Sequence, residues 1–196
     1  MNADGFIVAG FTLPHFFIDE AREITLLLDN GVRYMHIRKP NGSVSEIEAL
    51  LHNIPSRLHG RLWLHDAVDL ANSYHVAGVA VNSRSSSMPK GARMAVRGAH
   101  SIPELDAPWP YPDVPLAYQF LSPIFPSISK PGYSSDFDLK GITKALEGKS
   151  VVALGGITPA WFAELRKTGF AGAAMLGALW NENRAALQNV HSIVID

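Results

Sequence analysis

Cysteine is absent from this sequence of 196 residues, which excludes both a disulfide framework and a thiolate metal site. An excess of charge is absent too, since 17 Lys and Arg residues face 18 Asp and Glu residues. This balance gives no reason to expect nucleic acid or an anionic membrane as a partner. No apolar run approaches the roughly 20 residues that span a bilayer, and no signal-peptide pattern follows Met1. We expect a soluble, unprocessed and cytoplasmic protein that binds a small molecule.

The hydrophobic residues, 47% of the chain, suit a single domain over residues 1–196. Short apolar runs alternate with helix-like segments, which is typical of βα units and a parallel sheet. The predicted strands are 6–10, 33–38, 61–65, 77–81, 93–97, 115–121, 150–154 and 171–176. Eight such strands indicate an α/β fold, the (β/α)8 TIM barrel, with a doubly wound open sheet as the alternative.

Three helices are predicted over residues 18–31, 43–54 and 158–169. Ser43 and Glu46 have the spacing of a capping box, and Thr158 is a candidate N-cap before Pro159. The connections 82–92 and 98–113 contain much Ser, Pro and Gly. We therefore expect one or two helices of the barrel to be shortened or missing.

Glycines follow the last two predicted strands, where barrels often bind phosphate. Gly155 and Gly156 precede the third helix, and Gly177 follows the eighth strand. Paired glycines let backbone N–H groups approach an anion closely. The alternative is that these glycines only form tight turns.

The segment FLSPIFPSISKPGY, residues 120–133, ends the sixth strand beside this expected phosphate site. Ser127 and Ser129 can donate hydroxyl hydrogen bonds, and Lys130 adds a positive charge. Two neighbouring anion sites indicate a ligand with more than one phosphate, or two phosphorylated ligands that meet.

Polar side chains also end the second and third strands. His36 and Arg38 are two residues apart, so they share one face of a strand, and the fork of Arg38 matches phosphate oxygens. Asp66, after the third strand, is interpreted first as a helix cap and second as a Mg²⁺ ligand.

Read in order, five segments resemble the thiamine phosphate synthase and thiazole tautomerase family: MHIRKP, LHDAVDLANSYHVAGVAV, GAHSIPEL, SPIFPSISKPGY and VVALGGITPAWFAELRKTGFAGAAMLGAL. The resemblance implies a (β/α)8 barrel. In the synthase, a hydroxymethylpyrimidine diphosphate loses pyrophosphate with Mg²⁺ assisting, and a thiazole phosphate captures the cation. The tautomerase binds a thiazole phosphate carboxylate and needs no diphosphate.

The resemblance also implies roles for individual residues. Arg38 matches an arginine that grips the diphosphate, and Asp66 matches the first of two aspartates that bind Mg²⁺. The other matches are the anion loop of Ser127, Ser129 and Lys130, and the backbone amides of Gly156 and Gly177 that hold the thiazole phosphate. The expected partners are therefore small phosphorylated heterocycles, and the oligomeric state, a homo-oligomer included, stays open.

Several positions depart from the family pattern. His36 replaces a glutamine, His65 an asparagine and Pro40 a lysine. Ser85 stands where the second aspartate is expected, and both Gly98 and Gly177 replace phosphate-binding serines. These changes weaken the diphosphate half of the site more than the thiazole half, although Lys39 and Arg84 are candidates to compensate.

His100, in GAHSIPEL, matches a histidine that transfers protons in the tautomerase branch. We expect the synthase reaction, with the tautomerase as the alternative. Two other hypotheses remain: a regulator that binds a phosphorylated ligand, and a metal hydrolase built on His36, His65, His100 and Asp66.

Overall fold

The computed structural model describes residues 5–81, 88–126 and 137–180. Its eight strands are β1 (Ile7–Phe11), β2 (Tyr34–Ile37), β3 (Leu62–Leu64), β4 (Gly78–Val81), β5 (Ala95–Ala99), β6 (Leu116–Leu121), β7 (Val151–Leu154) and β8 (Gly172–Met175). Each strand is parallel to the next, and β8 pairs with β1, so the sheet closes into a barrel. The TIM barrel prediction is therefore confirmed, and the open-sheet alternative is wrong.

Helices pack outside the barrel. They are α1 (Glu20–Asp29), α2 (Val44–Asn53), α3 (Ile102–Asp106), α4 (Leu139–Leu146) and α5 (Phe162–Thr168). Three 3₁₀ turns, Ser56–Arg61, Val68–Ala71 and Pro159–Trp161, complete the described helical structure. No helix in the described ranges could cross a membrane, and α1 and α2, with ten residues each, are the longest of them.

The predicted helix ends are largely confirmed. Ser43 and Glu46 form a reciprocal capping box at the start of α2. Thr158 does precede a helical turn with Pro159 at its first position, but its side chain makes no capping hydrogen bond. Gly169 ends α5 with a φ of 102°, which glycine adopts without the steric cost of a side chain.

The expected loss of barrel helices is also confirmed. After β5 only α3 forms, with five residues, and after β3 only the 3₁₀ turn Val68–Ala71 forms. Residues 82–87 of the connection after β4 lie outside the described residues, and residues 88–92 form no helix.

Alternate residues of each strand point into the barrel and fill it with a second apolar cluster, separate from the layer under the helices. Its large members are Phe11, Trp63, Tyr118 and Phe120. Trp63 has room inside because its neighbour on β4 is Gly78, whose added Cβ would lie 2.6 Å from the Trp63 ring. The aromatic filling closes the barrel below the carboxyl ends of the strands, where a cavity opens.

Candidate active site

A cavity of about 370 Å³ lies at the carboxyl ends of the strands. The rings of Phe11 and Phe120 form its apolar floor, 5.3 Å apart between centroids. Polar groups of Arg38, His65 and His100 line its walls. Two larger cavities lie on the outer surface, one beside α1 and α2 and the other beside α3 and α4. The strand-end cavity is the candidate active site, because catalytic groups in TIM barrels project from this end.

Arg38 follows β2 and is exposed at the cavity, on the same strand face as His36, as predicted. Thr12, after β1, fixes its backbone on both sides. The Arg38 N–H donates to Thr12 Oγ1 at 2.9 Å, and that hydroxyl donates to the Arg38 carbonyl at 3.2 Å. The guanidinium makes no hydrogen bond to the described residues, so its fork is available to an anion.

His36 and His65 are brought together, with His36 Nδ1 3.0 Å from His65 Nε2. His36 is fully buried and does not line the cavity, so it reaches a ligand only through His65. Its other nitrogen, Nε2, lies 2.8 Å from the Tyr118 hydroxyl inside the barrel. Phe11 stacks on the His36 ring at 4.7 Å.

Both imidazoles are neutral at physiological pH. Burial, and to a smaller extent His65, lowers the pKa of His36 well below its ordinary value. Burial also lowers the pKa of His65 to about 3, and the nearby charge of Arg38 adds to this shift. His65 therefore adds no charge beside the aromatic floor of the cavity.

His100 lies at the opposite wall, on the turn from β5 into α3. Its Nδ1 is 2.9 Å from the Ser122 carbonyl, which can only accept, so Nδ1 carries a proton and donates it there. The backbone N–H of His100 donates to Glu104 Oε2 at 2.8 Å, and Ser101 caps α3. These contacts fix the His100 ring at the cavity wall, with Nδ1 engaged by Ser122.

Asp66 does not cap a helix, so that interpretation is wrong. The N-cap of the following 3₁₀ turn is Ala67, which leaves no capping role for the carboxylate. Instead, Asp66 Oδ2 accepts the backbone N–H of Lys39 at 2.6 Å and joins the loops after β2 and β3. The described residues contain no cluster of three His, Asp or Glu side chains that could hold a metal ion.

This arrangement does not fit the metal-hydrolase hypothesis. His36 uses both ring nitrogens inside the protein, and His65 turns its Nε2 toward His36 rather than into the cavity. The set of His36, His65, His100 and Asp66 therefore forms no metal site. Nor does Asp66 alone amount to a magnesium site built from protein carboxylates.

Lys39 cannot compensate for a missing cation in the cavity. Its ammonium is buried and donates to Glu20 Oε1 at 2.5 Å and to the carbonyls of Leu13 and His15. Burial lowers the pKa of Lys39 and raises that of Glu20. Lys39 thus anchors the loop after β1 to the loop after β2.

The glycines after β7 have a structural reason of their own. Gly155 and Gly156 both have positive φ, 95° and 64°. A Cβ on Gly156 would collide with the Pro126 carbonyl oxygen and lie 2.7 Å from Phe125 Cβ, so the loop after β7 packs directly against the loop after β6. Gly177 lies in the turn after β8. A phosphate-binding role for the backbone amides of these glycines remains a prediction.

The anion loop of Ser127, Ser129 and Lys130 lies outside the described residues, as do Arg84 and Ser85. Pro126, the last described residue before that loop, packs against the Gly155–Gly156 turn. Their roles remain predictions from the sequence.

Four functional neighbours were not predicted from the sequence: Thr12, Glu104, Tyr118 and Ser122. Thr12 and Ser122 each follow a strand, a position that could have identified them as candidates. Tyr118 lies inside β6 and looks like a core residue, and its partner His36 is 82 residues away. No local pattern could have revealed that contact.

The chain is similar to known proteins along most of its length. The family model for thiamine monophosphate synthase matches residues 14–179. The chain belongs to the thiamine monophosphate synthase family. This confirms the resemblance found in the sequence motifs. No curated protein sequence matches the chain.

Solved structures agree with that assignment. The chain is similar to a thiamine phosphate pyrophosphorylase from Bacteroides thetaiotaomicron, with 30% identity and a TM-score of 0.77, over 96% of this chain and 92% of the other. A thiamine phosphate pyrophosphorylase from Pyrococcus furiosus shares 20% identity with a TM-score of 0.72, over 97% and 96%. (S)-3-O-geranylgeranylglyceryl phosphate synthase from Thermoplasma acidophilum shares 12% identity with a TM-score of 0.63, over 97% and 92%. The last two show the fold alone.

Proposed function

We propose that the protein condenses a hydroxymethylpyrimidine diphosphate with a thiazole phosphate and releases pyrophosphate. The observation that carries the proposal is the Arg38 guanidinium, which makes no hydrogen bond to the described residues, beside an aromatic cavity floor in a member of this family. An anion-binding group and an aromatic floor side by side suit a substrate that separates into an anion and a cation.

In this reaction the C–O bond between the pyrimidine methylene carbon and the diphosphate breaks. The pyrophosphate leaves with the bonding electrons, and the thiazole nitrogen then donates its lone pair to form the C–N bond. Arg38, with Lys130 and the hydroxyls of Ser127 and Ser129, would hold the departing anion. The amides of Gly155, Gly156 and Gly177 would hold the thiazole phosphate.

The carbocation would form over the floor of the cavity. The π faces of Phe11 and Phe120 attract a cation, whereas an imidazolium would repel one. The depressed pKa of His65 keeps that ring neutral. Burial of the cation also excludes water, which would otherwise compete with the thiazole nitrogen.

Thiamine phosphate synthases generally depend on Mg²⁺. In this chain the matching ligand would be Asp66, whose Oδ2 already accepts the Lys39 N–H, and the described residues contain no group of three or more His, Asp or Glu side chains that could hold a metal ion. We therefore assign no step of the reaction to a protein-bound metal ion.

The geometry of His100 favours a second candidate, tautomerisation of a thiazole phosphate carboxylate. The Ser122 carbonyl engages Nδ1, so Nε2 would be the nitrogen that accepts a proton from a substrate carbon and returns it. This reaction needs neither a diphosphate nor a metal.

The two reactions are distinguished by assaying both in the parent, Asp66→Asn, Lys130→Ala and His100→Asn proteins, with and without chelator. Synthase chemistry predicts that Lys130→Ala lowers condensation by a large factor while His100→Asn has a smaller effect. Tautomerase chemistry predicts that His100→Asn lowers tautomerisation by a large factor while Lys130→Ala has a smaller effect. Binding of the ligands without either turnover would contradict both and indicate a regulator.

A further inference from the structure

Three hydrogen-bonding side chains form a line from the interior of the barrel to the cavity wall. The Tyr118 hydroxyl lies 2.8 Å from His36 Nε2, and His36 Nδ1 lies 3.0 Å from His65 Nε2. Tyr118 and His36 are buried, at 2% and 0% exposure, whereas His65 lines the cavity. The reaction proposed above gives Tyr118 no role.

The line has a direction because buried donors need acceptors. Within the described residues, the only hydrogen-bond partner of the Tyr118 hydroxyl is His36. If that hydroxyl accepted from His36, its own proton would be buried without a partner, so Tyr118 must donate to His36 Nε2. The His36 proton then lies on Nδ1 and is donated to His65 Nε2.

The position of the His65 proton follows from the same donors and acceptors. Because Nε2 accepts from His36, a neutral His65 ring carries its proton on Nδ1. This nitrogen has no hydrogen-bond partner in the described part of the chain. It is not one of the buried side-chain atoms there that lack a partner, so it is accessible. The Phe11 ring packs against the His65 ring, 5.2 Å apart between centroids.

We propose that Tyr118 and His36 are positioning residues that hold His65 as the Nδ1–H tautomer, and that His65 donates this proton in a hydrogen bond to an unprotonated ring nitrogen of a heteroaromatic ligand. An N–H donor beside aromatic rings selects a flat ring with an acceptor at its edge. The ligand part of this inference rests on the proposed function, whereas the tautomer does not.

The tautomer is tested by ¹⁵N NMR of the histidine rings in the ligand-free protein, with His65→Asn used to identify the His65 signals. We expect a pyrrole-type Nδ1 and a pyridine-type Nε2 for His65, and the same pattern for His36. The reverse pattern on His65 would overturn the inference.

Variants test the positioning role. Tyr118→Phe removes the donor, so the His65 signals should shift toward a mixture of tautomers. His36→Gln should keep the parent pattern, since glutamine offers an acceptor to Tyr118 and a donor to His65, whereas His36→Leu should lose it. An unchanged His65 spectrum in both Tyr118→Phe and His36→Leu would overturn the role, and the pair keeps the test decisive should one variant fail to fold.

The ligand is tested by adding hydroxymethylpyrimidine and thiazole phosphate in separate titrations, followed by NMR and calorimetry. One of the two should shift the His65 Nδ1 signal, and His65→Leu should weaken that ligand by about tenfold while leaving the other unchanged. Binding of both without a shift would overturn the donor role. Failure of both to bind would contradict the proposed function, while the ligand-free spectra would still decide the tautomer.

Discussion

Two arginines line the cavity, and their hydrogen bonds separate their roles. The guanidinium of Arg97 donates to Gln119 Oε1 at 2.7 Å and to the carbonyls of Leu105, Ala107 and Pro108, so it holds the connection after β5 in place of a longer helix. The guanidinium of Arg38 has no such bonds within the described residues. Arg97 is therefore a structural residue, whereas Arg38 is the candidate for binding an anion.

Replacement of Arg38 by glutamine tests its role toward the anion. The loss of a charge-assisted pair of about 1.5–3 kcal/mol should lower kcat/KM for condensation by roughly 10- to 150-fold. The matched control is Arg33→Gln, an exposed arginine just before β2, at the opposite end of the same strand. Steady-state kinetics with the diphosphate varied provide the measurement. Equal kinetics for the Arg38 variant and the control would show that Arg38 is structural.

At the scale of elements, the loops after β6 and β7 act as one packed unit. The Phe125 N–H donates to the Gly155 carbonyl at 3.0 Å, and the Ile124 N–H donates to the Leu154 carbonyl at 2.9 Å. The absence of a side chain at Gly156 lets the two loops touch. This contact places the start of the β6 loop against the Gly155–Gly156 turn, and no phosphate is needed to explain it.

Because of this contact, we expect alanine to cost different amounts of unfolding free energy at two glycines of similar φ. Gly148 has a φ of 72° and nothing within 4 Å of an added Cβ, so Gly148→Ala should cost about 1–2 kcal/mol of unfolding free energy. Gly156→Ala should cost a further 1–3 kcal/mol or so because its Cβ collides with the β6 loop. Urea denaturation of the three proteins measures both. Equal losses of unfolding free energy would show that the two loops separate easily. In that case, a loss of ligand binding in a Gly156 variant would report directly on the phosphate contact.

At the scale of the molecule, the barrel was predictable because its strands are marked locally. Apolar runs such as FIVAG and SVVAL have strand length, and Ser43 or Gly169 mark helix ends within a few residues of sequence. The face shared by His36 and Arg38 was predictable for the same reason, since alternation along a strand is a local property.

The rest of the candidate site depends on strand register across the barrel. The partners of His36 are His65, just after β3, and Tyr118 in β6, at distances of 29 and 82 residues along the chain. The sequence predicts a cap at Asp66 because its actual partner, the Lys39 N–H, belongs to the neighbouring loop. Likewise, no local pattern shows that Lys39 is buried against Glu20 and turned away from the cavity. Sequence spacing identifies which residues end strands, but not which of them face a ligand.

The two halves of the proposed site belong to one closed barrel, so binding at either half should stabilise the whole molecule against heat. A ligand at 100 times its Kd adds about 2.7 kcal/mol, which for a domain of this size raises Tm by roughly 5–11 °C. We expect thiazole phosphate and pyrophosphate each to raise the Tm of the parent protein. In Arg38→Gln the shift with pyrophosphate should fall while the shift with thiazole phosphate persists, because in the proposed site Arg38 and the loops after β7 and β8 hold different anions. Arg33→Gln should keep both shifts. Loss of both shifts together in a folded Arg38→Gln protein would contradict two separate anion sites, because a single site would then hold either ligand.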